Sequence, residues 1–112
     1  PALYHAAAGS WYGENVLHIH DEDILNAIRY HTTGRAGMSR LEECVYLADL
    51  ISEDRTYKDV GRMRRLAFED INSAMLEAAR FTLSDVIAKG SFIPKNSMQT
   101  YNYYTALIKQ DK

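Results

Sequence analysis

Ala27-Ile28-Arg29-Tyr30-His31-Thr32-Thr33-Gly34-Arg35, answered downstream by Leu47-Ala48-Asp49, decides how the chain is read. In the first stretch an apolar helical stripe runs into a histidine, two threonines and a glycine. In the second, a single aspartate follows apolar residues at helical spacing. Packing alone does not call for either choice. On a helical wheel Asp49 lies about 40° from Val45, at the edge of the apolar stripe, where a cleft can open. A buried lone carboxylate costs several kcal/mol unless it is paired or binds a metal. Asp49 therefore reads as a metal ligand or, more simply, as an exposed carboxylate or the partner of a nearby arginine.

Outward from this stretch the dominant period is helical. Residues 2–17 read as a first helix, favoured by Ala6, Ala7 and Ala8 and weakened by Gly9 and Gly13; Gly9 would admit another backbone. Asp21 is a natural N-cap, and Glu22 and Asp23 suit the positive end of a helix dipole. The stripe Ile24, Leu25, Ala27 and Ile28 then predicts a helix ending near His31. Ser39-Arg40-Leu41-Glu42 has the form of a capping box. The next helix is expected to bury Leu41, Cys44, Val45, Leu47, Ala48 and Ile51. Ser52 to Asp59 reads as a loop, and Val60 to Phe68 as a shorter helix with Arg62, Arg64 and Arg65 on a basic side. Asp70 caps the longest helix, Ile71 to Lys89, with Gly90 beyond its end. Phe92 to Lys95 is an extended connector. Asn96 or Ser97 caps a last helix to about Lys109, with Tyr101, Tyr104, Leu107 and Ile108 inward. No stretch sustains strand alternation, so the fold class is all-α.

Composition narrows the function. The 112 residues suffice for one domain or a large part of one. A formal net charge of -2 supplies no global field for nucleic acid. No apolar run approaches the roughly 20 residues that a membrane span needs. The single cysteine, Cys44, excludes an internal disulfide and fits a reducing, cytoplasmic setting. The chain opens Pro1-Ala2-Leu3-Tyr4-His5 without an initiator Met, which suggests a piece of a longer protein.

Several residues around the central stretch carry chemistry. His31 at a helix C-terminus reads as a ligand or as a cap on the last carbonyls. Thr32 and Thr33 supply hydroxyls. Arg29, Arg35 and Arg55 bracket the region with guanidinium groups that match phosphate oxygens. His5 reads as a packed or surface histidine or as a ligand. His18-Ile19-His20-Asp21 clusters three ligand types, but Asp21 serves better as an N-cap. The N-terminus of the last helix, next to Lys95, suits an anion.

Leu3-Tyr4-His5, then Asp21 to Arg35, then Leu47-Ala48-Asp49 and Arg55, resemble the C-terminal part of the bacterial HD-domain symmetrical bis(5′-nucleosyl)-tetraphosphatases. Phe92-Ile93-Pro94-Lys95 matches a late nucleotide-contacting segment of that family. The resemblance implies an HD-domain-like helical bundle, with residues 1–112 forming its C-terminal portion and the N-terminal helices, with a first histidine and the His-Asp pair, lying upstream. It implies hydrolysis of diadenosine tetraphosphate to two ADP by water activated on two divalent metal ions, iron foremost, with Mn, Zn or Ni as alternatives. Asp49, His5 and His31 are the implied metal and catalytic residues. His5, His31, Thr32, Asp49, Arg55, Phe92, Ile93, Pro94, Lys95, Asn96 and Ser97 are the implied substrate contacts. A homodimer is compatible with this reading, and a non-catalytic helical module that binds nucleotide or protein stands as the alternative.

Overall fold

A computed structural model describes residues 2–52 and 55–110, and of residues 2–5 the backbone alone. Six helices follow one another: α1 (Ala2–Asn15), α2 (Glu22–Arg29), α3 (Arg40–Ile51), α4 (Val60–Glu69), α5 (Ile71–Ala88) and α6 (Lys95–Gln110). No strand occurs among the described residues.

The helix starts follow the local chemistry. Asp21 accepts the backbone N–H of Asp23 and Ile24, at 2.9 and 3.2 Å. At α3 the capping box closes in both directions: Ser39 Oγ accepts the N–H of Glu42, and the Glu42 carboxylate accepts the N–H of Ser39, each at 3.2 Å. Ser39 also donates its hydroxyl to Asp23, joining the starts of α2 and α3. Asp70 caps α5 through the N–H and hydroxyl of Ser73. Two ends differ from the sequence expectation. α1 stops at Asn15 rather than Leu17, and His18 takes a positive φ of 58° in the turn that follows. α6 begins at Lys95, because the Pro94 carbonyl accepts the N–H of Ser97 and Met98, so neither Asn96 nor Ser97 is its cap.

α5 is the hub, packed against α3, α4 and α6. Its Ala74, Met75 and Ala78 are completely buried, and the two alanines keep the interhelical distance short. Met38, Tyr46, Leu47, Met63 and Tyr104 close the core around them. α2 packs on α3, and among the described residues α1 packs on α2 alone. Gly9 does not admit a backbone; it faces the Ile28 side chain, which a Cβ would meet at 3.3 Å.

The buried face of α3 is only partly the expected one, with Leu47 buried and Ile51 packed against the core. Glu42, Glu43, Tyr46 and Leu47 turn inward, while Leu41, Cys44 and Ala48 are exposed. The two glutamates tolerate burial because each carboxylate is matched. Arg35 grips Glu42 with two parallel bonds of 2.7 and 2.8 Å. Glu43 receives the Tyr104 hydroxyl at 2.5 Å and pairs with Arg40 at 3.1 Å. Matched in this way, a carboxylate sits in the interior at small net cost. Leu41, Cys44 and Ala48 are left as an apolar edge that none of the described residues covers.

Candidate functional site

Two structural features gather the residues singled out by sequence. The first is a cavity of about 270 Å³ between the C-terminal half of α5, the turn after α2 and the start of α6. Thr32 and Thr33 form one wall. Phe92, Pro94 and Ser97 form another, with Ser91 beside them. Thr82, Asp85, Val86 and Lys89 of α5 complete it. These four recur at helical spacing and so share one face.

The threonine wall is set by contacts over a long sequence separation. The chain leaves α2 through the turn in which Gly34 N–H reaches the Tyr30 carbonyl, at 2.8 Å. Gly34 then has a φ of +72°. The buried Thr100 of α6 meets this turn, its hydroxyl proton shared between the carbonyls of Asn96 (2.7 Å) and Thr33 (3.1 Å). The segment opposite is fixed by the end of α5. Gly90 takes a φ of +69°, and Ser91 N–H returns to the Val86 carbonyl. Phe92 emerges from this turn 96% exposed, an aromatic ring at the cavity rim.

The second feature is the end of α3. Asp49 is exposed, and its carboxylate lies 3.6 Å from the Arg55 guanidinium. Arg55 Nε also donates to the Asp49 carbonyl at 3.0 Å. Arg64, which the sequence placed on a basic side, instead closes this loop. It donates to the carbonyls of Ile51 (2.9 Å), Ser52 (2.8 Å) and Arg55 (3.1 Å), so a cation caps the negative end of α3. The Tyr57 hydroxyl donates to the Leu50 carbonyl at 2.7 Å. Sequence reasoning missed Arg64 and Tyr57, since no local motif links a guanidinium to carbonyls a dozen residues upstream. It also missed Thr82, Asp85 and Lys89, whose helical period is indistinguishable from ordinary surface spacing.

The remaining candidates lie elsewhere. His31 Nδ1 donates to the Ile28 carbonyl at 2.6 Å, the capping role anticipated as its alternative. His31 and Asp49 do not line the cavity, nor do Ile93, Lys95 and Asn96. The side chain of His5 lies outside the described residues. Arg35 serves Glu42 and stacks over Tyr30 at 4.8 Å, and Arg29 lies 5.8 Å from the same ring. Arg62 pairs with Glu77 at 3.2 Å, which with Arg64 removes two of the three cations on the supposed basic side.

Charge in the region is tuned by these contacts. Burial drives the Glu42 carboxyl up, but the Arg35 guanidinium and the Ser39 N–H and hydroxyl outweigh it, and the net position is below the ordinary carboxylate range. Burial, then the Glu43 carboxylate, pushes the Tyr104 phenol far up. No group of three or more His, Cys, Asp or Glu among the described residues could hold a metal ion. Asp49 and His31 thus do not make a metal site by themselves. Among the described residues, no helix is long and apolar enough to cross a membrane.

Known proteins match this chain closely. It is 38% identical over 103 residues to the symmetrical bis(5′-nucleosyl)-tetraphosphatase of Bacillus subtilis, covering 92% of this chain and 55% of that protein. The proteins of the same name from Halalkalibacterium halodurans and Staphylococcus aureus are 39% and 31% identical, over 89% and 83% of this chain and 54% and 56% of theirs. A crystal structure from Clostridium acetobutylicum, described as a predicted HD superfamily hydrolase involved in NAD metabolism, superposes with a TM-score of 0.87 at 43% identity. The alignment covers 91% of this chain and 54% of that one. No family model matches. The chain spans about half the length of these relatives.

Proposed function

From the sequence this chain shares with roughly half of each symmetrical tetraphosphatase, and from the fold it shares with the HD superfamily hydrolase, we propose that it is part of a phosphohydrolase that splits diadenosine tetraphosphate into two ADP. The observation that carries the reading is the cavity. It joins Thr32 to Phe92, Pro94 and Ser97 across more than half of the sequence, the positions expected to touch nucleotide. Hydroxyls at one wall, an aromatic ring at the rim and an adjoining helix N-terminus are what a nucleoside phosphate requires.

The residues divide the work by place. Thr32 and Ser97 bind phosphate oxygens, helped by the positive end of α6. Phe92 stacks on the base and excludes water from one of its faces. Arg55, anchored by Arg64, presents its guanidinium beside Asp49 to balance charge on the phosphoryl oxygens. Two divalent metal ions, iron or else Mn, Zn or Ni, belong to this reading and would supply an activated water. Asp49, His31 and His5 are their proposed ligands here, and further ligands must come from beyond the described residues. Cytoplasmic location and a homodimer complete the proposal.

The test is hydrolysis of diadenosine tetraphosphate, with ADP scored as product and metal content read on the same sample. It is run on this chain, on a version extended upstream in its gene, and on Asp49→Asn of whichever is active. ADP formation that falls together with bound metal in Asp49→Asn supports the proposal. Full metal occupancy and normal turnover in that variant remove Asp49 from the site. ADP binding without turnover from either form favours the second reading, a non-catalytic nucleotide-binding module, which the exposed position of Asp49 keeps in play.

A further inference from the structure

Within this nucleotide reading, we infer that Asp85 is the residue that recognises the purine base, accepting a hydrogen bond from the adenine 6-amino group while Lys89 donates to the neighbouring ring nitrogen. Among the residues that line the cavity, Asp85 and Lys89 alone carry charge. They form an ion pair of 2.9 Å one helical turn apart, with side chains 46% and 69% exposed, so both reach solvent beside the cavity wall. As a surface pair they contribute little to stability. Their value lies in geometry: an acceptor fixed next to a donor complements the donor and acceptor that adenine presents side by side.

The polarity of the cavity supports this placement. Asp85 and Lys89 lie at the last turn of α5, where backbone carbonyls give a negative end. The Asp85 carboxylate there is offset by Lys89, and the backbone carbonyls of that end favour an amino group over a phosphate. Another wall is the start of α6, with Pro94 just before it and Ser97 in its first turn, where the dipole favours anions. The nucleotide is thereby oriented, with its phosphates toward Thr32 and Ser97 and its base toward Asp85. Phe92 emerges three residues past the α5 cap Lys89, with Gly90 and Ser91 between, and is positioned to stack on a base held there.

The experiment is calorimetric titration of the chain with ADP, with purine riboside 5′-diphosphate, which lacks only the amino group, and with inorganic pyrophosphate. ADP is expected to bind about tenfold more tightly than the purine riboside analogue, the usual worth of a hydrogen bond to a charged acceptor. In Asp85→Ala, ADP falls to the level of the analogue, while the analogue and pyrophosphate keep their wild-type affinities. Equal affinity for ADP and the analogue in the wild type, or a preference that survives in Asp85→Ala, overturns the assignment of Asp85 and leaves the nucleotide site standing. Absence of ADP binding to the wild-type chain overturns both.

Discussion

A Cβ placed on Gly34 would stand 2.6 Å from the Oγ1 of Thr100 and 2.9 Å from its Cγ2, so the turn after α2 touches α6 as closely as a glycine allows. This contact fixes the threonine wall of the cavity against the helix that carries Pro94 and Ser97. Gly34→Ala meets two obstacles, the clash and a φ of +72°. It is expected to lower stability by about 2 kcal/mol or more in urea unfolding. Thr100→Ala, which removes both clashing atoms, should return part of that loss when combined with Gly34→Ala. Strictly additive losses in the double variant would show that the close approach is not the cause.

Arg64 should be felt at Arg55. Replacing it with Met leaves the carbonyls of Ile51, Ser52 and Arg55 without their charged donor. The expected cost is about 1–3 kcal/mol. The amide of Arg55, now bonded to the Ser52 carbonyl, should exchange its hydrogen faster than in the wild type. Unchanged exchange there would separate Arg64 from the positioning of the Asp49–Arg55 pair.

The Arg35–Glu42 pair predicts an acid limb of stability. Glu42 is held below its ordinary pKa of 4.5 in the folded chain, so the unfolded chain takes up its proton first as pH falls. Its contribution is complete above about pH 4.5 and is lost as pH falls through the lower, folded value. Glu42→Gln should be less stable at neutral pH and show a flatter decline on acidification, read as the urea midpoint against pH. An identical pH slope in the variant would contradict this.

Tyr104 makes the opposite prediction at high pH. Its phenol is pushed up by burial and by Glu43, so it stays neutral in the fold while exposed tyrosines ionise near pH 10. Stability that depends on the neutral phenol is full below about pH 10 and falls as pH rises further. Tyr46 and Tyr104, both pushed up by burial, should be missing from the tyrosinate absorbance until the chain unfolds. Titration of all the tyrosines in one phase, with the helices intact, would contradict the burial of both.

Local signals in the sequence were enough for most of the fold. Asp21, the Ser39–Glu42 box, Asp70 and Gly90 mark helix ends through contacts within four residues, and such contacts are written in the sequence. The orientation of α3 was not legible, because it depends on Arg35 and Tyr104, which supply hydrogen-bond donors to Glu42 and Glu43 from 7 and 61 residues away. An apolar period alone therefore pointed to Leu41, Cys44 and Ala48 as core. For the site, the grouping of Thr32 with Phe92 to Ser97 came from resemblance, and the α5 wall of Thr82, Asp85 and Lys89 came only from the coordinates. Nothing in their spacing separates them from a solvated helix face.

The measurement that bears most directly on the account is a titration of the labelled chain with ADP, followed residue by residue through backbone amide shifts. The account predicts saturable changes grouped at Thr32, Thr33, Thr82, Asp85, Lys89, Ser91, Phe92 and Ser97, which line one cavity. Changes confined to another surface, such as the cleft between Ser10 and Arg29, or no change at millimolar ADP, would contradict it.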